Sequence, residues 1–175
     1  MKVFLEPIEH ADAARIGQLR RWLGNPLIAS TLFRGLARGG SYGDYFLDRD
    51  SAATAAHFIA FRSDGDAIGG ASLIAGELCY FVDPGQWGQG FGTAIASAAL
   101  DRGAASGHTT LELLIYRHNL ASLRIAERLG CRFTGLCHRP PPHAVMLRYT
   151  WARPALKTVG DHGSQGVVQS RVPLS

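Results

Sequence analysis

The sequence predicts a single domain of the α+β (mixed α/β) class, and three observations predict it. Three apolar runs, Ala56 to Phe61, Ala67 to Ile74 and Glu77 to Val82, follow one another through the tight-turn signals Ser63-Asp64-Gly65-Asp66 and Gly76. Two helical patterns then alternate with strand patterns in the second half of the chain. A chain of 175 residues, 46% of them hydrophobic, is long enough to bury one core.

Lys2 to Ile8 reads as a short edge strand closed by Pro7. From Ala11 to Gly24 the pattern turns helical, with Ile16, Leu19, Trp22 and Leu23 at spacings of three and four. Glu9 and Asp12 favour its N-terminus, and Gly24-Asn25-Pro26 stops it. Arg34 to Tyr45 is glycine-rich and reads as a loop with short helical pieces. Its aromatics, Tyr42 and Tyr45 with Phe46 beside them, suit either a substrate pocket or packing of the loop onto the core. Asp-Gly between the first two apolar runs marks a hairpin, and Asp83-Pro84-Gly85 ends the third run. An alanine-rich helix follows Trp87-Gly88-Gln89-Gly90-Phe91-Gly92-Thr93 and runs to about Ala105. Beyond Gly107, Leu111 to Tyr116 is an apolar strand except for Glu112, a residue that an arginine can pair. Asn119 to Leu129 is a second helix, stopped by Gly130. Cys131 to Cys137 and Val145 to Trp151 form a last strand pair, split by Pro140-Pro141-Pro142. Residues 154–175 are rich in Gly, Ser, Gln and Val and lack periodicity. The expected division is therefore a domain over 1–153 and a flexible tail, or a strap onto a partner, over 154–175.

Composition removes several classes. Charged residues make up 18% of the chain and the mean hydropathy is +0.01, values that fit neither a disordered chain nor a membrane protein. Glu6, Glu9, His10 and Asp12 interrupt the N-terminus, which predicts no leader and a soluble, cytoplasmic protein. The net charge is +4, carried by 16 Arg and two Lys that are scattered rather than clustered. Scattering argues against a nucleic-acid surface and leaves affinity for small acidic ligands. Cys79, Cys131 and Cys137 are odd in number and form no C-x-x-C pair, so they are expected as reduced, buried thiols. His138 and His143 do not complete a zinc set with them, and no metal is expected.

The strand, glycine-rich turn and helix N-terminus between Val82 and Ala94 make an anion site in principle. The first helical turn leaves N–H groups unpaired at the positive end of the dipole. Gly88, Gly90 and Gly92 let the backbone approach the anion, Thr93 adds a hydroxyl, and a diphosphate fits best. The Walker loop is excluded, because no Lys lies between residues 2 and 157. The dinucleotide fingerprint fails at its third glycine, which is Thr93. A glycine cluster with no ligand remains the alternative for this motif alone.

A second constellation follows the next strand: Asn119-Leu-Ala-Ser122, with Leu129-Gly130-Cys-Arg-Phe133 and Gly135 beyond. With Tyr80-Phe81-Val82-Asp83-Pro84 and the Trp87–Gly92 turn, it resembles the GNAT superfamily of acetyl-CoA-dependent N-acetyltransferases. Trp87 stands where Arg or Gln is usual, and Trp-Gly-x-Gly-aromatic resembles the RimJ/RimL-type branch. The resemblance implies a central, mostly antiparallel sheet splayed after its fourth strand, with acetyl-CoA as cosubstrate in the opening. It implies pantetheine pairing with the backbone of Phe81 and Val82, and pyrophosphate on the amides of Gly88, Gln89, Gly90, Phe91, Gly92 and Thr93. Trp87 would pack the turn, and Asn119 would cap its helix while facing the pantetheine.

In such a reaction the amine attacks the thioester carbonyl, a backbone N–H near Val82 stabilises the oxyanion, and an acid protonates the departing thiolate. Ala126 occupies the place where many members of the superfamily carry a Tyr, so the resemblance points instead to Ser122 near the thiol. Glu77 is the first candidate base, His143 the next, and a water relay competes with both. The expected acceptor is a primary amine, of a peptide or protein N-terminus or of a small molecule. Asp44, Asp48 and Asp50 would suit a cationic one. A homodimer stays open. The rival from another class is a catalytically inactive, CoA-binding regulatory module.

Overall fold

The computed structural model describes residues 1–32, 42–47, 55–138 and 145–154. Five helices and seven strands occur in these segments: β1 (Val3–Pro7), α1 (Ala13–Leu23), α2 (Pro26–Ala29), α3 (Tyr42–Leu47), β2 (Ala55–Arg62), β3 (Ala67–Ile74), β4 (Glu77–Val82), α4 (Phe91–Ala105), β5 (Thr110–Tyr116), α5 (Leu120–Arg128), β6 (Arg132–Cys137) and β7 (Met146–Ala152). The strands form one sheet in the order β1-β2-β3-β4-β5-β7-β6. Every neighbouring pair is antiparallel except β4–β5.

Polar side chains set the starts of α1 and α2. Asp12 accepts from the Arg15 amide at 2.8 Å, which starts α1 at Ala13, two residues after the periodicity suggests. Asn25 caps α2 through the Leu27 amide, with Pro26 in the first turn. At the other end of α5, the Cys131 amide donates to Ala126 O at 2.9 Å. Cys131 therefore completes the helix stop, and β6 begins one residue later than expected.

The sheet is covered on both faces. One face carries α4 and α5 over a core that includes Leu78, Ile95, Ala99, Leu111, Leu113 and Ala126. The other face carries α1–α3 over Leu19, Trp22, Ile28, Phe46, Ile59 and Phe81. Phe46 is fully buried against Phe81 at 5.4 Å, so that aromatic packs onto the core. Of Tyr42 and Tyr45, only the backbone lies within the described residues, while Asp48, Asp50, His143, the proline run and residues 155–175 fall outside them. Cys131 and Cys137 are buried as expected, but Cys79 is only half-buried.

The feature that positions the site is the break between β4 and β5. These strands are registered at one pair, Glu77 with Glu112, next to a 2.9 Å bond from the Glu112 amide to Gly76 O. Beyond that pair they diverge, because β4 keeps its partner β3 and β5 keeps its partner β7. The sheet is thus splayed after its fourth strand. Among the described residues no helix is long and apolar enough to cross a membrane.

Candidate active site

The opening between β4 and β5 is part of a cavity of about 710 Å³. Its walls come from both faces of the sheet: Ile28, Thr31 and Leu32 after α1, the ends of β4 and β5, the turn into α4, and one side of α5.

The register of β4 on β3 decides which backbone groups face this opening. Asp83 N donates to Ile68 O at 2.8 Å, and Phe81 lies opposite Gly70. Hydrogen-bonded and non-bonded pairs alternate along an antiparallel ladder. The polar groups of Phe81 are therefore committed to β3, and those of Tyr80 and Val82 point to the opening. Phe81 and Val82 were both expected to pair through their backbone. Only Val82 is so oriented, while Phe81 lines the cavity and packs its ring on Trp22 and Phe46. The Val82 carbonyl already accepts from Trp87 Nε1 at 2.9 Å. Trp87, about half exposed, thus ties the turn to the end of β4.

The turn itself has the backbone that an anion site requires. Gly88 and Gly90 sit at φ 77° and 85°, the left-handed region that favours glycine. Gly90 is the N-cap of α4 and has no side chain to satisfy the first-turn amides. Those amides stay available for a ligand. Arg128 Nη1 lies 3.5 Å from Thr93 Oγ1, which brings a guanidinium from α5 to this end of α4. Arg124, one turn earlier, also lines the cavity. Neither arginine stands out in the sequence, since the contact spans 35 positions. A diphosphate with an extended arm fits this set of groups: backbone donors, two guanidinium groups, and the backbone edge of Val82.

Asn119 and Ser122 are joined. Asn119 Oδ1 accepts from the Ser122 amide at 3.1 Å, capping α5. Asn119→Ala is expected to cost about 1 kcal/mol of stability and Asn119→Asp much less, as urea unfolding would show. Ser122 lines the cavity. Facing it is Tyr80, whose role the sequence did not reveal. The Tyr80 hydroxyl is buried and has no hydrogen bond of ordinary geometry, although the Ser122 hydroxyl lies beside it. Burial pushes the phenol up to about 12, against a smaller lowering by Ser122.

That shift has a consequence for stability. The native state keeps a proton that the unfolded chain releases near pH 10. The Tyr80 contribution is therefore complete below about pH 10 and is lost as the pH rises towards about 12. Tyr80→Phe should remove about 2–3 kcal/mol of this alkaline loss, read as the difference between wild-type and variant urea midpoints across about pH 8–12.

Glu77 stands at the closed end of the opening and does not line the cavity. Two residues on, Cys79 is part of the wall, and its thiol donates to Glu77 Oε1 at 3.9 Å. Glu112, opposite Glu77, pairs with Arg148 at 3.5 Å. His118 lines the wall and stacks on Tyr116 at 5.4 Å. No described wall residue is a carboxylate. Among the described residues no group of three or more His, Cys, Asp or Glu could hold a metal.

A splayed sheet with a glycine turn opening a helix at its mouth makes a cleft suited to a ligand that carries a diphosphate. Residues 2–132 match the acetyltransferase (GNAT) domain family, and the chain belongs to it. No curated protein matches the sequence. Solved structures agree in fold. Spermidine N-acetyltransferase from Vibrio cholerae, in complex with CoA and spermine, is 15% identical with a TM-score of 0.70, over 86% of this chain and 95% of that one. The aminoglycoside acetyltransferase AAC(6')-Ib, in complex with ribostamycin and CoA, is 18% identical with a TM-score of 0.71, over 87% and 94%. A domain from Methanocaldococcus jannaschii is 16% identical with a TM-score of 0.66, over 87% and 99%.

Proposed function

We propose that this chain transfers the acetyl group of acetyl-CoA to a primary amine by direct attack, as a member of the RimJ/RimL-type branch. The observation that carries the reading is the gap after the single Glu77–Glu112 pair, continuous with the amide-rich turn at the α4 N-terminus. The pyrophosphate sits on the amides of Gly88 to Thr93, with Arg128 and Arg124 beside it. The pantetheine follows the edge of β4 at Val82 and brings the thioester to Ser122.

The amine enters from the side of Ile28, Thr31 and Leu32. As its nitrogen attacks, the carbonyl oxygen gains charge and the Val82 N–H stabilises it. The C–S bond then breaks, its electron pair passes to sulfur, and Ser122 donates to the thiolate. The amine proton leaves through water towards Glu77, since no described carboxylate reaches the wall. The acceptor is a small-molecule amine or a peptide N-terminus. A second reading, a CoA-binding module without turnover, draws support from Ala126, fully buried and without a proton to give.

A thermal-shift titration with acetyl-CoA, then an amine panel with thiol release as readout, tests both. Acetyl-CoA at a hundred times its dissociation constant should add about 2.7 kcal/mol of stability. The panel should contain polyamines, aminoglycosides and short peptides. Stabilisation with thiol release supports the transferase, and stabilisation without release from any amine supports the module. No stabilisation overturns both.

A further inference from the structure

We infer that Tyr80 is a positioning residue for the leaving group: its hydroxyl donates to Ser122 Oγ and thereby aims the Ser122 hydrogen at the departing CoA sulfur. The inference rests on the CoA reading above and deepens it. Four observations carry it.

Tyr80 lies on β4, whose alternate residues Leu78, Tyr80 and Val82 pack on the α4–α5 face. Its ring is held there, with Cε2 at 3.8 Å from the position a Gly92 Cβ would take. Its hydroxyl is buried in the cavity wall without a hydrogen bond of ordinary geometry, beside the Ser122 hydroxyl. Ser122 is itself anchored, because its amide is fixed by Asn119.

A buried phenol donor left unpaired is costly, and few native structures retain one without a use. Two hydroxyls side by side resolve the cost when an anion arrives. A serine hydroxyl has one hydrogen and two lone pairs. If Tyr80 donates to one lone pair, the serine hydrogen is free to turn outward to the sulfur. Burial keeps the phenol protonated across the working range, so its hydrogen stays available to Ser122 and is not given up. The balance is then simple. The C–S electron pair ends on sulfur, the thiolate is held by the Ser122 hydrogen, and the proton lost by the amine leaves through water towards Glu77 as in the reaction above.

The test needs no acceptor. The affinities of CoA and of desulfo-CoA are measured by calorimetric titration from about pH 6 to 10, spanning the ordinary thiol range. This is done for wild type, Tyr80→Phe, Ser122→Ala and the double variant. Donors at the sulfur lower the pKa of the bound thiol. CoA should then gain on desulfo-CoA as the pH rises in wild type, by about tenfold or more, the worth of a hydrogen bond to a charged acceptor. Tyr80→Phe should lose most of that gain, read as the ratio of CoA to desulfo-CoA affinity within each variant so that any change common to both ligands cancels. In the Ser122→Ala background, Tyr80→Phe should change nothing further.

A tyrosine that merely packs would leave the pH dependence intact in Tyr80→Phe, and that result overturns the inference. Equal pH dependence of both ligands in wild type also overturns it, while leaving CoA binding standing. No binding of either ligand by wild type overturns the CoA reading itself, and this inference with it.

Discussion

Gly90→Val should reduce CoA binding by about a hundredfold or more, since two or three amide bonds to a charged phosphate are each worth about 1.5–3 kcal/mol. Gly90 occupies the left-handed region at φ 85°, where a β-branched residue costs about 1–2 kcal/mol. The space around it is not the obstacle, because a Cβ there would meet only the Met1 Cε at 3.5 Å. The variant should therefore fold, with its melting temperature lowered by about 2–8 °C. What it loses is the turn, which relaxes toward negative φ and rotates the amides away from a common point. Circular dichroism and a CoA thermal-shift titration on the same sample separate the two effects. An unchanged CoA affinity in a folded Gly90→Val protein would sink the pyrophosphate assignment.

Gly69→Ala should do the reverse, striking the fold before the ligand. A Cβ at Gly69 would lie 2.2 Å from Phe81 O and 3.0 Å from Val82 Cα, both backbone atoms, and 3.1 Å from Ile95 Cδ1. Backbone in the middle of a sheet cannot yield as a side-chain tip does. The expected loss is about 3 kcal/mol or more, at or above the top of the usual overpacking range. Gly17→Ala in α1 is the control. Its Cβ would meet only Arg21 Nη1 at 3.8 Å, and a helix gains about 0.5–1 kcal/mol from that change. Urea unfolding of the two variants side by side reads both signs. A Gly69→Ala protein as stable as wild type would mean that β3 and β4 pack more loosely than the Gly69–Val82 register implies.

Much of this fold is legible in the sequence because local signals carry it. The β2–β3 hairpin announces itself through Asp64-Gly65, and Gly65 does take φ 91°. The α4 entry is legible because Gly88 and Gly90 need a backbone that few other residues tolerate. The α1 start shifts by two residues because a capping side chain, Asp12, outweighs the hydrophobic period. What stays hidden depends on partners far away in sequence. The alternation that turns Val82 to the opening and Phe81 to β3 follows from a register with Gly69 and Gly70. Glu77 reads as a site residue by its place at a strand start, yet where the strands part decides what it reaches. Tyr80 reads as one more strand aromatic until α5 sets Ser122 beside its hydroxyl.

The single registered pair between β4 and β5 also has a mechanical meaning. Four strands on one side and three on the other are nearly separate half-sheets, held by Glu77–Glu112 and by the helices that bridge them. The ligand arm proposed to lie along Val82 would act as a rivet across that seam. Without it, the seam should be where the molecule opens first under heat or load. The Val82 amide should then exchange with solvent far sooner than its neighbour Phe81, whose backbone is tied into the β3 ladder. Occupancy of the cleft thus becomes readable at one amide, as the moment when two half-sheets begin to move as one.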